Sequence, residues 1–430
     1  VRSALAAQRR GRRLDRAFDE AAAGLDERSR AFAREIAFGV VRWRGRLDAL
    51  IEPHVSRGLA SLKPAVRDVL RMGAYELLLL DGVPAYAAVS QAVDAVREAG
   101  QPRAAGLVNA VLRRVSERGL DASVAPRLSE DPAGHLSVWG SHPRWLIERW
   151  LRRWSVDEVA RLVELDNTIP PLTLVPLDGE GETGVSSAVE RWQVAGFSAG
   201  PGPAGSGTVE VQGARPHEVL AAVPSFVQDP AAAWVCRYAA PPPGARIADL
   251  CAAPGGKAMN LARQAAFVLA ADPSWPRLAQ LAENRERTGL PLFVVQADAA
   301  APPVRGADLV LIDAPCTGTG TLRRHPDSRW RLKPGDPAAM ARVQGQLLDG
   351  AADAVAAGGL LVYSTCTLEQ EENEGVVEAF LARRSDFTLE PPPRGAGPMP
   401  VDVNGLLNVR PQETGTDGAF AARLRRREGA

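Results

Sequence analysis

Two of the four cysteines stand where sulfur could do chemistry. Cys316 closes Asp313-Ala-Pro-Cys316 and precedes Thr317-Gly-Thr-Gly320; Cys366 lies in Ser364-Thr-Cys-Thr367, directly after the apolar run Gly359-Leu-Leu-Val-Tyr363. A free cysteine is usually a small buried hydrophobe, so one such residue beside a proline would mean little. Two, each ending a strand-like run, are harder to dismiss. A thiol of ordinary pKa, ~8.5, is only about 3% thiolate at pH 7, and bringing it to ~7 takes about 2 kcal/mol of differential stabilisation. A nearby cation would supply it. Lysine is scarce here, with Lys63, Lys257 and Lys333 against 48 arginines, so a retained lysine hints at a site wanting a compact point charge. Lys257 ends a third constellation, Asp249-Leu-Cys-Ala-Ala-Pro-Gly-Gly-Lys257. Small residues and paired glycines let a turn pass close to a ligand and offer it backbone N–H groups. The stretch is neither a Walker loop, since Ala258 follows the lysine, nor GxGxxG. Asp272, 15 residues beyond Lys257, and Asp298 end further strand-like runs. A carboxylate at Asp272 could accept from both ribose hydroxyls, and one at Asp298 from an adenine amino group. Either alone reads equally well as a helix cap; aspartates in register at three strand ends favour a nucleoside. Cys236 and Cys251 read as structural thiols. His54, His135, His142 and His217 have no partner spacing, and no CxxC pair offers zinc ligands.

The elements that must position these residues begin near residue 225. Ala245–Leu250, Phe267–Asp272, Leu292–Asp298, Asp308–Asp313 and Gly359–Ser364 are short, largely apolar runs, most followed by helical material, the pattern of βαβ units around a buried parallel sheet. Ligands of such sheets bind outside the carboxyl ends of the strands. Residues 1–126 read instead as an all-helical bundle: Val66, Val69, Leu70, Ala74, Leu77 and Leu78 form one stripe, and similar stripes run through Ala31–Leu50, Tyr86–Ala99 and Ala104–Val115. Between them, 127–224 reads as a small α+β module. His142 to Trp150 opens a helix with Pro143 near its first turn, Thr173–Pro176 and Thr208–Gln212 are strands, and Ser198–Gly207 is a loop.

Composition sets outer limits. The chain of 430 residues is 46% hydrophobic and 24% charged, as in globular proteins. No run approaches ~18 apolar residues, and Val1–Arg13 holds no apolar core of signal-peptide length. Four cysteines make no disulfide framework, which points to the cytoplasm. The net charge is zero, yet residues 1–127 carry 22 Lys and Arg against 15 Asp and Glu. A basic front joined to an acidic remainder suits contact with a polyanion, although a solvated arginine face would look the same.

Taken together, Asp249 to Lys257, Asp313 to Cys316 and Ser364 to Thr367 resemble the RNA cytosine-C5 methyltransferases of the Sun/nucleolar-protein type. The helical front, with Leu107-Val-Asn-Ala-Val-Leu-Arg-Arg114, is similar to the antitermination-factor-like (NusB-like) RNA-binding domain. Phe226-Val-Gln-Asp229, Arg323-Arg-His-Pro-Asp327 with Trp330, Glu371-Glu-Asn373 and Thr416-Asp-Gly-Ala-Phe420 match as well, so the likeness spans the chain. Ala258-Met259 and Ala419-Phe420 depart from the family pattern, which usually has Thr after the lysine and two phenylalanines after Asp-Gly.

The resemblance implies a NusB-like bundle over 1–126, a linking RNA-binding module over 127–224 and a Rossmann-like S-adenosylmethionine-dependent methyltransferase over 225–430. It implies that Cys366 attacks C6 of cytosine, that Cys316 assists proton removal and release, and that Asp313 hydrogen-bonds the base, with Lys257 nearby. The residues themselves leave the two thiol roles open, and DNA cytosine methyltransferases use the Pro-Cys thiol for attack. For the cofactor it implies Cys251, Ala252, Ala253, Pro254, Gly255, Gly256, Lys257, Asp272, Asp298 and Asp313. The implied partner is RNA, 16S ribosomal RNA at the cytosine called 967, presented unstacked because flipping a helical base costs a few kcal/mol. No metal, membrane or oligomer is expected. A transfer-RNA substrate, a non-catalytic RNA-binding or antitermination factor, and a DNA methyltransferase are the alternatives.

Overall fold

A computed structural model describes residues 1–179, 181–393 and 397–429. The chain divides into two compact units, Val1–Ile169 with Leu322–Pro334, and Pro170–Thr321 with Gly335–Ala430. The three-part division expected at 126 and 224 thus stands beside a different grouping: the helices of 127–169 join the first unit, and the strands after Pro170 join the second.

The first unit is helical. Its main helices include Glu27–Arg42, Arg44–Ile51, Pro64–Leu78, Ala85–Glu98 and Ala105–Arg118. The expected stripe is the buried one: Val66, Val69, Leu70 and Ala74 are in the core with Leu47, Val108 and Leu112, while Leu77 and Leu78 pack at its margin. The single helix expected over Ala31–Leu50 is two helices that part at Trp43. Tertiary bonds accompany the break, because Gly45 N–H donates to Ser141 Oγ at 2.8 Å and Arg46 Nε to the Trp139 carbonyl at 2.7 Å. Pro143 precedes the helix Arg144–Leu151 as its cap.

The insertion Leu322–Pro334 completes this unit. Arg329 is fully buried and donates to the carbonyls of Ser141 (3.1 Å) and Asp166 (3.0 Å) and to Asn167 Oδ1 (2.8 Å). Trp330 Nε1 donates to the Val41 carbonyl at 2.8 Å, and Asp327 Oδ2 accepts from Leu14 N–H at 3.2 Å. His142, which the sequence leaves without a partner, is buried against Asp166 at 3.2 Å.

The second unit holds two sheets. The smaller comprises β1 (Leu172–Pro176), β2 (Ser198–Pro201), β3 (Val209–Gln212) and β4 (Ser225–Val227), all antiparallel in the order β2-β3-β1-β4. The expected loop at Ser198–Gly207 therefore begins as a strand. Pro201 is tolerated because β2 is an edge strand, where a missing N–H costs least.

The larger sheet comprises β5 (Arg246–Asp249), β6 (Phe267–Asp272), β7 (Leu292–Gln296), β8 (Ala307–Asp313), β9 (Val355–Thr365), β10 (Phe387–Leu389), β11 (Leu407–Val409) and β12 (Ala419–Arg426). Its order is β10-β12-β9-β8-β5-β6-β7, with β11 paired to β12. β5 to β9 are parallel, and β12 runs antiparallel against β9. These parallel strands are the five expected ones; β7 stops at Gln296, leaving Asp298 in the turn beyond it. The antiparallel extension was not expected, and Arg423 shows why: this arginine lies on a core strand at 3% exposure, bonded to the carbonyls of Tyr238 and Ala239 and to Glu390. β5 and β8 lie side by side while the connections leave β5 and β8 for opposite sides, so the sheet's switch point falls between Asp249 and Asp313. Among the described residues, no helix is long and apolar enough to cross a membrane.

Candidate active site

The loop after β5 is tied to both neighbouring strands. Leu250 N–H donates to the Leu311 carbonyl at 3.0 Å, and Ala252 N–H to the Ala271 carbonyl at 2.8 Å. The Ala253–Pro254 peptide is cis, and Gly255 has φ of +113°. A Cβ on Gly255 would lie 2.8 Å from Leu281 Cγ, so only glycine fits both the angle and the space. The helix Gly256–Ala262 then holds Lys257 in its first turn.

Asp249 is fully buried. Its Oδ1 accepts from Cys251 N–H at 3.3 Å, and its Oδ2 has no partner among the described residues. Burial, reinforced by the Asp313 charge and partly offset by Lys257, pushes this carboxyl up to about 7. An unfolded chain ionises it near 3.8, so between those values the unfolded state binds fewer protons and stability falls as pH rises, by up to about 1.4 kcal/mol per unit. Asp249→Asn is therefore expected to gain stability relative to wild type as pH rises from about 4 to 7, read as a widening gap between denaturant midpoints. A gap that stays flat with pH would count against a neutral Asp249.

Asp272 is buried at the end of β6, its Oδ1 accepting from Ser274 N–H at 2.9 Å and its Oδ2 pairing with Arg277 at 3.3 Å. Arg277 also bonds the Ala253 carbonyl, joining this carboxylate to the loop. Asp298 is exposed and caps its own turn, accepting from Ala300 N–H at 2.9 Å.

Lys257 Nζ donates to Asp313 Oδ2 at 2.7 Å, and Ser364 Oγ donates to Asp313 Oδ1 at 2.9 Å. Burial pulls the lysine pKa down, but the Asp313 charge outweighs it and leaves the ammonium above the ordinary lysine value. The cation is thus permanent at neutral pH, and its partner is a carboxylate. Cys316 Sγ and Cys366 Sγ are 3.3 Å apart. Hydrogen bonding to Cys366, then burial, holds the Cys316 thiol well above its ordinary pKa. Gly320 N–H donates to the Cys366 carbonyl at 3.0 Å, and a Cβ on Gly320 would sit 2.8 Å from that oxygen, so Thr317–Gly320 must pack this close to Cys366.

The structure thus joins Lys257, Asp313 and Ser364 by hydrogen bonds and brings Cys316 to Cys366, both groups at the ends of β8 and β9. Cys236 stays apart as a buried thiol 3.7 Å from the Lys257 carbonyl, pushed by burial up to about 12. Burial and the Asp249 charge likewise raise Cys251. Sequence reasoning gave no role to Glu372, whose carboxylate bonds both thiol loops, nor to Gln344 beside it. Glu372 had a signal, its place in Glu371-Glu-Asn373; Gln344 had none.

Comparison with known proteins matches residues 237–425 to the family described as 16S rRNA methyltransferase RsmB/F, and residues 2–117 to the NusB family. The ribosomal RNA small subunit methyltransferase B of Thermus thermophilus is 39% identical over 400 residues, 93% of this chain and 89% of that protein. Among solved structures, PH0851 superposes with a TM-score of 0.78 at 26% identity, covering 98% of this chain and 97% of its own. NSun6 from Pyrococcus horikoshii, solved with SFG, shares the fold at a TM-score of 0.53 and 21% identity, over 66% of this chain and 98% of its own. With both family matches on one sequence, and a relative this similar over nearly its whole length, the chain belongs to the RsmB/F family of 16S rRNA methyltransferases, S-adenosylmethionine-dependent enzymes that act on RNA.

Proposed function

We propose that the protein methylates C5 of one cytosine in 16S ribosomal RNA, by the family likeness the one called cytosine 967, through a covalent bond between Cys366 and C6 of the base, in the cytoplasm. The observation that carries this reading is the 3.3 Å approach of Cys316 and Cys366 beside the Lys257–Asp313 pair. C5 of cytosine is a poor nucleophile; a thiolate bonded to C6 turns it into an enamine carbon. By the family likeness Cys366 makes the attack, with Cys316 3.3 Å away and the permanent Lys257 cation among the charges acting on the site. As the ring is attacked, Asp313, held by Lys257 at 2.7 Å and by Ser364 at 2.9 Å, hydrogen-bonds the base edge and favours its form protonated at N3. After transfer, Cys316, its own proton given up to solvent, takes the C5 proton as a thiolate; the C5–H electron pair re-forms the C5–C6 double bond and expels Cys366 as a thiolate.

S-adenosylmethionine, when bound, supplies the electrophilic methyl. The residues fit it: the buried Asp249 Oδ2 at the head of the loop lacks a donor among the described residues, and Asp272 is held at the end of the next strand. Cys251 to Gly256 would line the methionine end with Lys257 and Asp313 beyond it, Asp272 the ribose and Asp298 the adenine. The structure solved with SFG, an S-adenosylmethionine analogue, supports this placement by fold alone. The arginine-rich front would supply sequence-independent attraction to RNA phosphates while the pocket selects the base.

The test is nucleoside mass spectrometry with bisulfite mapping of ribosomal and transfer RNA from cells with and without the gene. The expected result is loss of one 5-methylcytosine from 16S ribosomal RNA. An unchanged 16S map with a lost transfer-RNA methyl group would overturn the substrate assignment.

A further inference from the structure

The loops that carry the two thiols are held by a carboxylate with no part in the chemistry above. Glu372 is fully buried beyond the end of β9, and among the described residues it pairs with no cation. Its Oε2 accepts from Thr317 N–H at 2.9 Å and from Gln344 Nε2 at 2.9 Å. Its Oε1 accepts from Thr367 Oγ1 at 3.1 Å and from Thr317 Oγ1. Thr317 and Thr367 directly follow Cys316 and Cys366. We propose that Glu372 is a positioning residue that sets the Cys316–Cys366 separation by gripping, through one carboxylate, the residue after each thiol; this rests on the two-thiol reading above.

The surrounding bonds fit a clamp better than a chance burial. Gln344 also donates to the Pro315 carbonyl at 2.9 Å, so the backbone is fixed on both sides of Cys316. The neighbouring Asn373 accepts from Thr365 Oγ1 at 2.6 Å and donates to the Thr367 carbonyl at 3.0 Å, fixing both sides of Cys366. Tyr363 Oη donates to the Glu372 carbonyl at 2.6 Å, tying the clamp to β9. A buried carboxylate without a cation costs stability, and an apolar side chain would fill the same space more cheaply. What an apolar side chain lacks is the ability to bond two loops at once. The thiols need that rigidity, because misplacing a reacting group by about 1 Å can cost roughly 100-fold in rate.

The experiment uses the full chain and two readouts. The first is the rate at which diamide joins Cys316 to Cys366, followed by mass spectrometry of unreduced peptides; diamide takes up the two thiol hydrogens and becomes the hydrazine. The second is single-turnover methyl transfer to a 16S ribosomal RNA transcript. Glu372→Ala is expected to slow cross-linking about 10-fold or more and methyl transfer about 100-fold, while affinity for S-adenosylhomocysteine stays within about twofold. Glu372→Gln, which keeps the shape and one acceptor oxygen, is expected to restore most of both. A folded Glu372→Ala that cross-links at the wild-type rate overturns the proposal whatever its activity. Lost cross-linking together with full turnover in Cys366→Ala leaves the clamp standing and removes the two-thiol mechanism instead. If Glu372→Ala does not fold, Thr367→Val removes one donor to the same carboxylate and reads the same distance.

Discussion

Cys366→Ala is expected to lose methyl transfer by at least about 10⁴-fold, the scale on which removal of a covalent nucleophile is felt. Cys316→Ala is expected to do something different: to bond to the RNA and fail to let go. The asymmetry follows from the sulfur pair. By the family likeness Cys366 makes the bond and Cys316, 3.3 Å away, helps undo it, so deleting Cys316 spares attack and blocks release. The measurement is a denaturing gel of each variant with the 16S transcript and methyl donor. A band of protein joined to RNA should appear for Cys316→Ala and be missing for Cys366→Ala. Turnover in Cys366→Ala, with an RNA-bound band in that variant, would move the attacking role to Cys316.

The second large effect is on stability. Arg329→Met is expected to destabilise the helical unit by about 3 kcal/mol or more, the combined cost of leaving several buried acceptors without a donor at about 1–3 kcal/mol each. Burial pulls the Arg329 pKa down to about 10, still charged at neutral pH. Removing the guanidinium leaves the carbonyls of Ser141 and Asp166, and Asn167 Oδ1, short of a donor in the interior. Denaturant unfolding followed by tryptophan fluorescence reads this, because six of the nine tryptophans, Trp43, Trp139, Trp145, Trp150, Trp154 and Trp330, lie in this unit. A midpoint within experimental error of wild type would show that Arg329 contributes nothing net.

Much of the fold was legible because local pattern and final burial agree. The stripe Val66, Val69, Leu70 and Ala74 is the buried face of its helix, and β6 spans the apolar run Phe267–Asp272 without adjustment. Legibility failed where distant chain decides local structure. β12 hides an arginine whose partners, Tyr238, Ala239 and Glu390, are 33 or more residues away, so its Ala-Phe-Ala-Ala-Arg-Leu-Arg-Arg reads as surface until Glu390 is present. Trp43 ends a helix beside bonds to Ser141 and Trp139 that no window around it contains. The thiols, Lys257 and Asp313 were legible as chemical types in short motifs. The pairing of Lys257 with Asp313, 56 residues away, was not, because it depends on β5 and β8 being neighbours. Glu372 was visible only as a matching segment, since a buried carboxylate among threonines leaves no periodic signal.

Leu322–Pro334 also governs the order in which the molecule can be made. The helical unit begins at Val1 but lacks Arg329 and Trp330 until the ribosome has translated some 160 residues past Ile169. At roughly 5–20 residues per second, the nascent front end waits on the order of ten to thirty seconds with a vacancy beneath Asp166 and Val41. The helical unit therefore gains its full set of buried hydrogen bonds only late in synthesis, and a chaperone that shelters the unfinished helices during that interval is expected to raise the yield of native protein.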